Sequence, residues 1–206
     1  MRILVVILFL STSCSLHAQI NAGNIDDNTF HIFEGGIVAG FVMSQVHGDY
    51  LGGFNKLGFT GGPELHINFT ESWFASLEML FIQKGSKSTP LNNNGYTYLL
   101  RLNYVEVPLL INYNDKNQLI FQAGFSYGRL IDVKQETNGY DYDDDSGFFN
   151  AELSYIVGGT FLVGEQKHIG INFRYEGSIF SVGDPLDPSA FGLANILLSL
   201  RGIYYF

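Results

Sequence analysis

Residues 58–69 of the chain read GFTGGPELHINF, in which apolar side chains alternate with small or polar ones. In an extended backbone Leu65 and Ile67 point to one face, whereas Glu64 and His66 point to the other. A period of two belongs to a β-strand whose two faces meet different surroundings. This stretch therefore predicts a strand with one apolar face and one polar face.

The same alternation recurs along the chain and predicts eight strands. The apolar positions of the other seven run over 37–43, 73–81, 105–113, 119–127, 149–161, 169–175 and 196–206. The connections are alternately long and short: the long ones are 45–56, 85–97, 134–147 and 180–192, and the short ones are 70–72, 114–117 and 164–166. Short turns at one end and long loops at the other are typical of outer-membrane barrels, whose long loops lie outside the cell.

The apolar face is too bulky to fill the inside of an eight-stranded barrel, which is only just wide enough for side chains. It carries Trp73 and many of the 18 Phe and 12 Tyr residues, whereas the opposite face is rich in Gly, Ser and Thr. A soluble ligand-binding barrel would turn its apolar face inward. The sequence instead predicts an all-β fold, an eight-stranded antiparallel up-and-down transmembrane β-barrel over residues 34–206 with short periplasmic turns and long extracellular loops. We expect its first and last strands to pair, because an open edge is costly in lipid.

The N-terminus has the features of an export signal. Arg2 is followed by the apolar run Ile3 to Leu10 and, later, by the small residue Ala18. This run is too short for a membrane helix, which needs roughly 20 apolar residues. We expect a signal peptide over 1–18, an N-terminal segment over 19–33 and location in the outer membrane. Lipidation at Cys14 is the alternative.

Charge and cysteine content exclude several classes of function. The net charge of −9 disfavours nucleic acid as a partner. The single cysteine, Cys14, lies in the predicted signal, so the mature chain has neither a disulfide nor a cysteine zinc site. We expect no cofactor, no metal, a monomer, and the outer-membrane bilayer as the principal partner.

Two features disturb the predicted registers. In the fourth strand Arg101 shares the parity of the apolar face, so either a β-bulge lies near Tyr104, or the strand leaves the membrane above that point and Arg101 projects into water. Pro63 and Pro108 lie inside strands, where bulges are the usual remedy for a missing donor.

Charged residues on the polar face are candidates for a network inside the barrel. They are Glu64, Glu78, Glu106, Glu152, Arg174, Glu176 and Arg201, with Lys84 or Arg101 as further cations. Lone charges are costly in a narrow lumen, so we expect a salt-bridged plug. A proton or ion path and a catalytic carboxylate pair are the alternatives, and nothing in the sequence supplies a nucleophile or an open cleft for the second.

Two further groups of residues are candidates for binding a metal cation. His66 and His168 share the lumen-facing parity, but two histidines are a poor metal site. The third long loop holds Asp141, Asp143, Asp144 and Asp145, which is either a Ca²⁺ site or a solvated, mutually repelling surface loop.

Three stretches resemble the PorT-type outer-membrane β-barrel family, small barrels related to those of OmpA and OmpX. They are Gly35 to Gly40, Gly53 to Phe59 and, above all, Tyr104-Val105-Glu106-Val107-Pro108-Leu109-Leu110. The resemblance spans residues 34–206 and implies an outer-membrane barrel. For some relatives it also implies a role in secretion or protein maturation.

The sequence thus predicts a structural or interaction protein that acts through its extracellular loops, and not an enzyme. The alternatives are a component or accessory of a secretion or protein-maturation system, a narrow solute channel and a soluble ligand-binding barrel. A lipid-active enzyme would need a Ser and His or Asp constellation on the outer rim, which the sequence lacks. Envelope or secretion proteins are therefore the expected protein partners.

Overall fold

A computed structural model describes residues 31–48, 53–88, 97–115, 118–142, 148–164, 167–183 and 192–206. They form ten β-strands: β1 Phe33–His47, β2 Lys56–Asn68, β3 Trp73–Glu78, β4 Leu80–Lys87, β5 Tyr98–Asn114, β6 Leu119–Thr137, β7 Tyr140–Tyr142, β8 Ala151–Val163, β9 Ile169–Ser178 and β10 Ala194–Tyr205. In these residues no helix is long and apolar enough to cross a bilayer.

The strands close into a ring of antiparallel pairs. Each crossing pairs with the next along the chain, and β1 also pairs with β10, with Ile37 opposite Tyr204 and Val46 opposite Asn195. β3 and β4 together form one crossing, and β7 is a short addition to the end of β6. The predicted eight-stranded, closed, up-and-down barrel is confirmed, and closure gives the backbone groups of the first and last strands partners within the sheet.

The third crossing is interrupted at Met79. β3 and β4 keep one register against β2, with Glu64 opposite Glu78 and Thr60 opposite Ile82, so no extra residue is inserted. Pro63 and Pro108 occupy the two flanking strands at this level, and the Met79 N–H donates to Pro63 O at 3.0 Å. The prediction of bulges at the prolines is therefore wrong: because proline lacks a donor, the ladder is broken between them without a register shift.

A bulge does lie near Tyr104, but its extra residue belongs to the neighbouring strand. Asn103 of β5 pairs with Asp132 and Tyr104 pairs with Leu130, which leaves Ile131 of β6 unpaired. The strand β5 keeps its parity throughout, so Arg101 stays on the outer side of the barrel. The bulge was thus predicted at the right level and on the wrong strand.

Large apolar side chains cover the outside of the ring. Phe41 is 64% exposed, and Leu109, Phe125 and Phe173 are each more than half exposed. A soluble protein does not expose a continuous apolar band of this kind, whereas a membrane barrel does. Aromatic rings lie at both ends of the band, as in the Trp73–Tyr113 pair, whose centroids are 4.9 Å apart near the short turns. Tyr98, the first residue of β5, is partly buried and packs against the core at the long-loop end.

Glycine at position 40 makes room for a buried arginine. A Cβ on Gly40 would clash with the backbone O of Leu200 and would stand 2.6 Å from Arg201 Cα and 2.8 Å from its Cγ, because Gly40 and Arg201 face each other across β1 and β10. On the neighbouring outer position of β10, a Cβ on Gly202 would meet nothing nearer than 3.9 Å. The inner wall is therefore sterically full where the outer wall is not.

This asymmetry predicts different outcomes for two equivalent substitutions. Gly40→Ala is expected to destabilise the barrel by about 1–3 kcal/mol through overpacking. Gly202→Ala is the matched control and should change stability little. Urea unfolding of the two variants in lipid vesicles measures the difference, and equal midpoints would contradict the packing described here.

Candidate functional site

The inside of the barrel is filled in three layers. At the long-loop end a buried apolar cluster contains Val42, Val46, Ile82, Leu100, Leu102, Tyr104, Leu130, Val133, Val182, Leu193 and Leu197. Near the short turns a second apolar region is formed by two smaller clusters, Val38, Leu80 and Ile203 and Phe74, Ile120 and Leu162, which share Tyr205 as a neighbour. Charged and amide side chains occupy the middle. The interior is therefore less polar than predicted from the sequence. The apolar residues that lie in strands have the inward parity, whereas Val182 and Leu193 lie outside the strands.

The first polar cluster is built on Glu78 of β3. Arg174 of β9 binds it with two nitrogens, Nη2 to Oε1 at 2.6 Å and Nη1 to Oε2 at 3.1 Å. Arg201 of β10 adds Nη1 to Oε2 at 3.0 Å. Arg201 also donates to Asn172 Oδ1, through its Nε at 3.0 Å and its Nη2 at 2.7 Å. The Glu78 carboxylate thereby joins β3 to the neighbouring strands β9 and β10 across the ring. Arg174 binds it through two nitrogens, the geometry that gives guanidinium–carboxylate pairs their strength.

The second polar cluster is built on Lys84 of β4, whose side chain is completely buried. Its Nζ lies 2.5 Å from Glu106 Oε1, 2.7 Å from Glu176 Oε1 and 3.2 Å from Glu152 Oε2. Glu152 also accepts hydrogen bonds from Ser178 Oγ at 2.6 Å and Asn195 Nδ2 at 2.9 Å. One cation therefore holds three carboxylates that come from three other strands.

A third, smaller polar group lies toward the short turns. The His66 ring nitrogen Nε2 is 2.5 Å from Glu64 Oε1. The ring packs on Phe74, with centroids 4.5 Å apart, and on Tyr205, with centroids 5.1 Å apart. The pair links the polar middle to the apolar region below it.

All seven residues predicted for the lumen are buried, and the structure brings them into these three groups. The groups are Glu78 with Arg174 and Arg201, Lys84 with Glu106, Glu152 and Glu176, and Glu64 with His66.

Two residues that the sequence analysis considered for the lumen lie elsewhere. Arg101 is on the outer side of β5. His168 is exposed beside the last strand, where its Nδ1 lies 3.1 Å from Tyr205 O, so the predicted lumen-facing position of His168 is wrong. The β9 strand begins only at Ile169, and parity has no meaning before a strand begins.

The buried amides of the network were not among the residues predicted from the sequence. Asn172 donates to Thr160 Oγ1 at 2.7 Å while accepting from Arg201, and Asn195 donates to Glu152. Both have the inward parity of their strands, and that was the only available signal. Amides offer a donor and an acceptor on one side chain, so they can satisfy what the charged groups leave unpaired.

For cation binding the described residues offer little. They contain no group of three or more His, Cys, Asp and Glu residues arranged to hold a metal ion. Asp141 lies in β7, opposite Glu136, while Asp143, Asp144 and Asp145 lie outside the described residues. The loop cation site stays a prediction.

One family model matches most of the chain. Residues 18–183 match the model described as outer membrane protein beta-barrel domain. The protein belongs to this family. It is therefore a β-barrel of the cell outer membrane, with the apolar band of its outer face in the lipid bilayer.

Solved structures support the same fold. Ail, the attachment invasion locus protein of Yersinia pestis, has a TM-score of 0.53 and 16% identity over 85% of this chain and 100% of its own. Neisserial surface protein A has a TM-score of 0.51 and 11% identity over 85% of this chain and 98% of its own. No curated protein sequence matches. At these identities the likeness concerns the fold of this outer-membrane barrel and not its activity.

Proposed function

We propose that this outer-membrane barrel is a structural or interaction protein that acts through its extracellular loops, without enzymatic activity. In this proposal the filled lumen is a rigid support for the loops. The supporting observation is the burial of Lys84, which joins Glu106, Glu152 and Glu176 in the middle of the barrel. The apolar cluster above it and the Glu78 cluster complete a salt-bridged plug, which disfavours the narrow solute channel.

The long-loop end is also where the barrel extends furthest. The strand β6 has 19 residues, against 10 in β9, and it carries β7 as an additional hairpin strand. Tyr140 in this hairpin is 72% exposed. Exposed aromatic residues held by a rigid scaffold suit the binding of a protein or glycan.

Two measurements test this proposal. In planar bilayers we expect no stepwise conductance from the mature chain, because the buried network occupies the lumen. Crosslinking from single cysteines placed at Tyr140 and, as a control, at Lys167 in a periplasmic turn should capture envelope or surface partners through Tyr140 alone. Steady ion conductance would contradict the proposed plug, and capture through both sites alike would contradict the role of the loops.

The second candidate is a component or accessory of a secretion or protein-maturation system. The resemblance of residues 104–110 to PorT-type barrels favours it. Tyr104 and Glu106 of this motif are buried in the lumen, so they would serve such a system through the barrel's stability rather than by direct contact. Co-purification of secretion proteins with the tagged barrel, in amounts that fall when residues 140–142 are deleted, tests this candidate.

The chain organisation belongs to the same proposal. We propose a signal peptide over 1–18, an N-terminal segment over 19–33 and the barrel over 34–206. Export fits the outer-membrane location of the barrel, whose first strand begins at Phe33. Mass spectrometry of the mature chain tests the boundary, and a mature chain that begins at a lipid-modified Cys14 would contradict it.

A further inference from the structure

Basic residues are concentrated on one outer sector of this acidic protein. Lys87 on β4, Arg101 on β5 and Arg129 and Lys134 on β6 all lie on the outer side near the long-loop end. We call these four residues the rim patch. Apart from Arg2, Lys56 and the three buried cations of the lumen, the remaining Lys and Arg residues of the chain are Lys167, beside a short turn, and Lys116, which is outside the described residues.

Three cations of the rim patch, Lys87, Arg101 and Lys134, are adjacent across three paired strands. Arg101 is directly opposite Lys134 in the β5–β6 ladder. Lys87 is opposite Leu99, two residues from Arg101 on the same face. Buried Lys56, at the start of β2, adds its own charge close to Arg101 and Lys87. Like charges in directly opposed positions destabilise a sheet, so an arrangement of this kind calls for an anion.

The described part of the chain does not supply that anion. None of the four rim-patch cations forms a salt bridge with a described carboxylate. On β6, the acidic residue Asp132 lies between Arg129 and Lys134, and it accepts a hydrogen bond from Asn103 Nδ2 at 2.7 Å. Glu136 is opposite Leu99 at the top of the same ladder. Asp141 of β7 is in turn opposite Glu136. Four cations against these three acidic residues leave a net positive charge on the described residues of this sector.

The height of the rim patch relative to the bilayer indicates which kind of anion binds there. Tyr113 marks the lower interface, and the twelve-residue span from Tyr113 to Arg101 covers about 30 Å along the barrel axis at a strand tilt of ~40°. The apolar band of such barrels is about 25 Å tall. Arg101 and Lys134 therefore lie at headgroup level, directly above the lipid-facing side chains. Arg129 is lower on β6, opposite Val105, and its side chain is long enough to extend toward the same level.

We propose that the rim patch binds the phosphate groups of a phosphorylated glycolipid in the outer leaflet. The acyl chains of this lipid would lie on the apolar face below, beside Val105 and Tyr127, which are both exposed. Clustered lysine and arginine residues at a membrane surface each contribute to the binding of anionic lipid. The site is continuous with the bilayer contact of the barrel and independent of the loop partners proposed above.

The test uses the full mature chain in phosphatidylcholine nanodiscs with and without lipid A, a bisphosphorylated glycolipid. Binding of lipid A is compared between the wild type and the double variant R101Q/K134Q. At about 1 kcal/mol per cation, the double variant should bind lipid A roughly thirtyfold more weakly. The matched control K116Q/K167Q removes the same formal charge from two residues that are not part of the rim patch and should leave the affinity unchanged.

Three results would overturn the proposal. They are an unchanged affinity of R101Q/K134Q, an equal loss in the control, and equal retention of lipid A from which both phosphates have been removed. Binding of inorganic pyrophosphate by the wild type in plain phosphatidylcholine nanodiscs, as tight as that of lipid A, would point to a soluble ion and would also overturn it. Heat-modifiable gel mobility shows that each variant is folded before binding is measured.

Discussion

Lys84→Met is expected to destabilise the barrel by about 3–5 kcal/mol, because it leaves buried carboxylates without their cation. Three carboxylates, those of Glu106, Glu152 and Glu176, lie within 3.2 Å of the Lys84 ammonium group. Methionine fills a similar volume, so the cost arises from charge and not from a cavity. Urea unfolding in lipid vesicles, followed by heat-modifiable mobility, measures the loss.

Lowering the pH separates this cause from a packing defect. Protonation neutralises the uncompensated carboxyl groups, so the K84M variant should recover part of its stability in acid relative to the wild type. The control is Lys87→Met, three residues further along β4 and exposed, for which we expect little change. A K84M variant as stable as the K87M variant at neutral pH would rule out the central role given to Lys84.

Glu78→Gln is also expected to destabilise the barrel by about 3–5 kcal/mol, but here the buried charge left without a partner is positive. Arg174 and Arg201 both depend on this one carboxylate, at 2.6 Å and 3.0 Å. The substitution preserves shape and removes the charge, which leaves two guanidinium groups facing each other in a closed space. Glu34→Gln, on the exposed start of β1, is the matched control.

A double-mutant cycle shows whether the loss arises from this contact. Adding R201Q to E78Q removes one of the two stranded cations, so the two changes should cost less together than their sum, with a coupling of about 0.5–3 kcal/mol. Strict additivity of E78Q and R201Q would show that the two residues act independently and would contradict the geometry of the cluster.

The alternation of residues was enough to predict the barrel and the faces of its strands. Phe59 and Glu64 lie on opposite sides of the barrel wall because a strand has only two faces. Successive residues point to alternate faces, so the order of residues in the sequence decides which side chain lies on which face. Parity could equally have identified Val38, Val42 and Leu102 as inward residues. They were missed because the inner face was taken to be polar throughout, whereas a plug can mix apolar and charged layers.

Other features depend on which strands meet and at what height. Two prolines far apart in sequence, Pro63 and Pro108, interrupt the strand between them at Met79 only because the closed ring brings them to one level. The bulge residue Ile131 is set by the fit of β6 to β5, and the sequence of β5 alone could not assign it. The central position of Lys84 likewise follows from four strands converging on one point of the axis.

Pairing between the first and last strands has a consequence for the order of events in the cell. The ladder that joins Gly36 to Tyr205 connects segments from the two ends of the barrel sequence, so the ring cannot be sealed until the last residues have been delivered. Contacts so distant in sequence form slowly. Until the ring closes, the apolar side chains of the strands have no complete barrel wall to present them to lipid, and apolar surface exposed in this way is prone to aggregation.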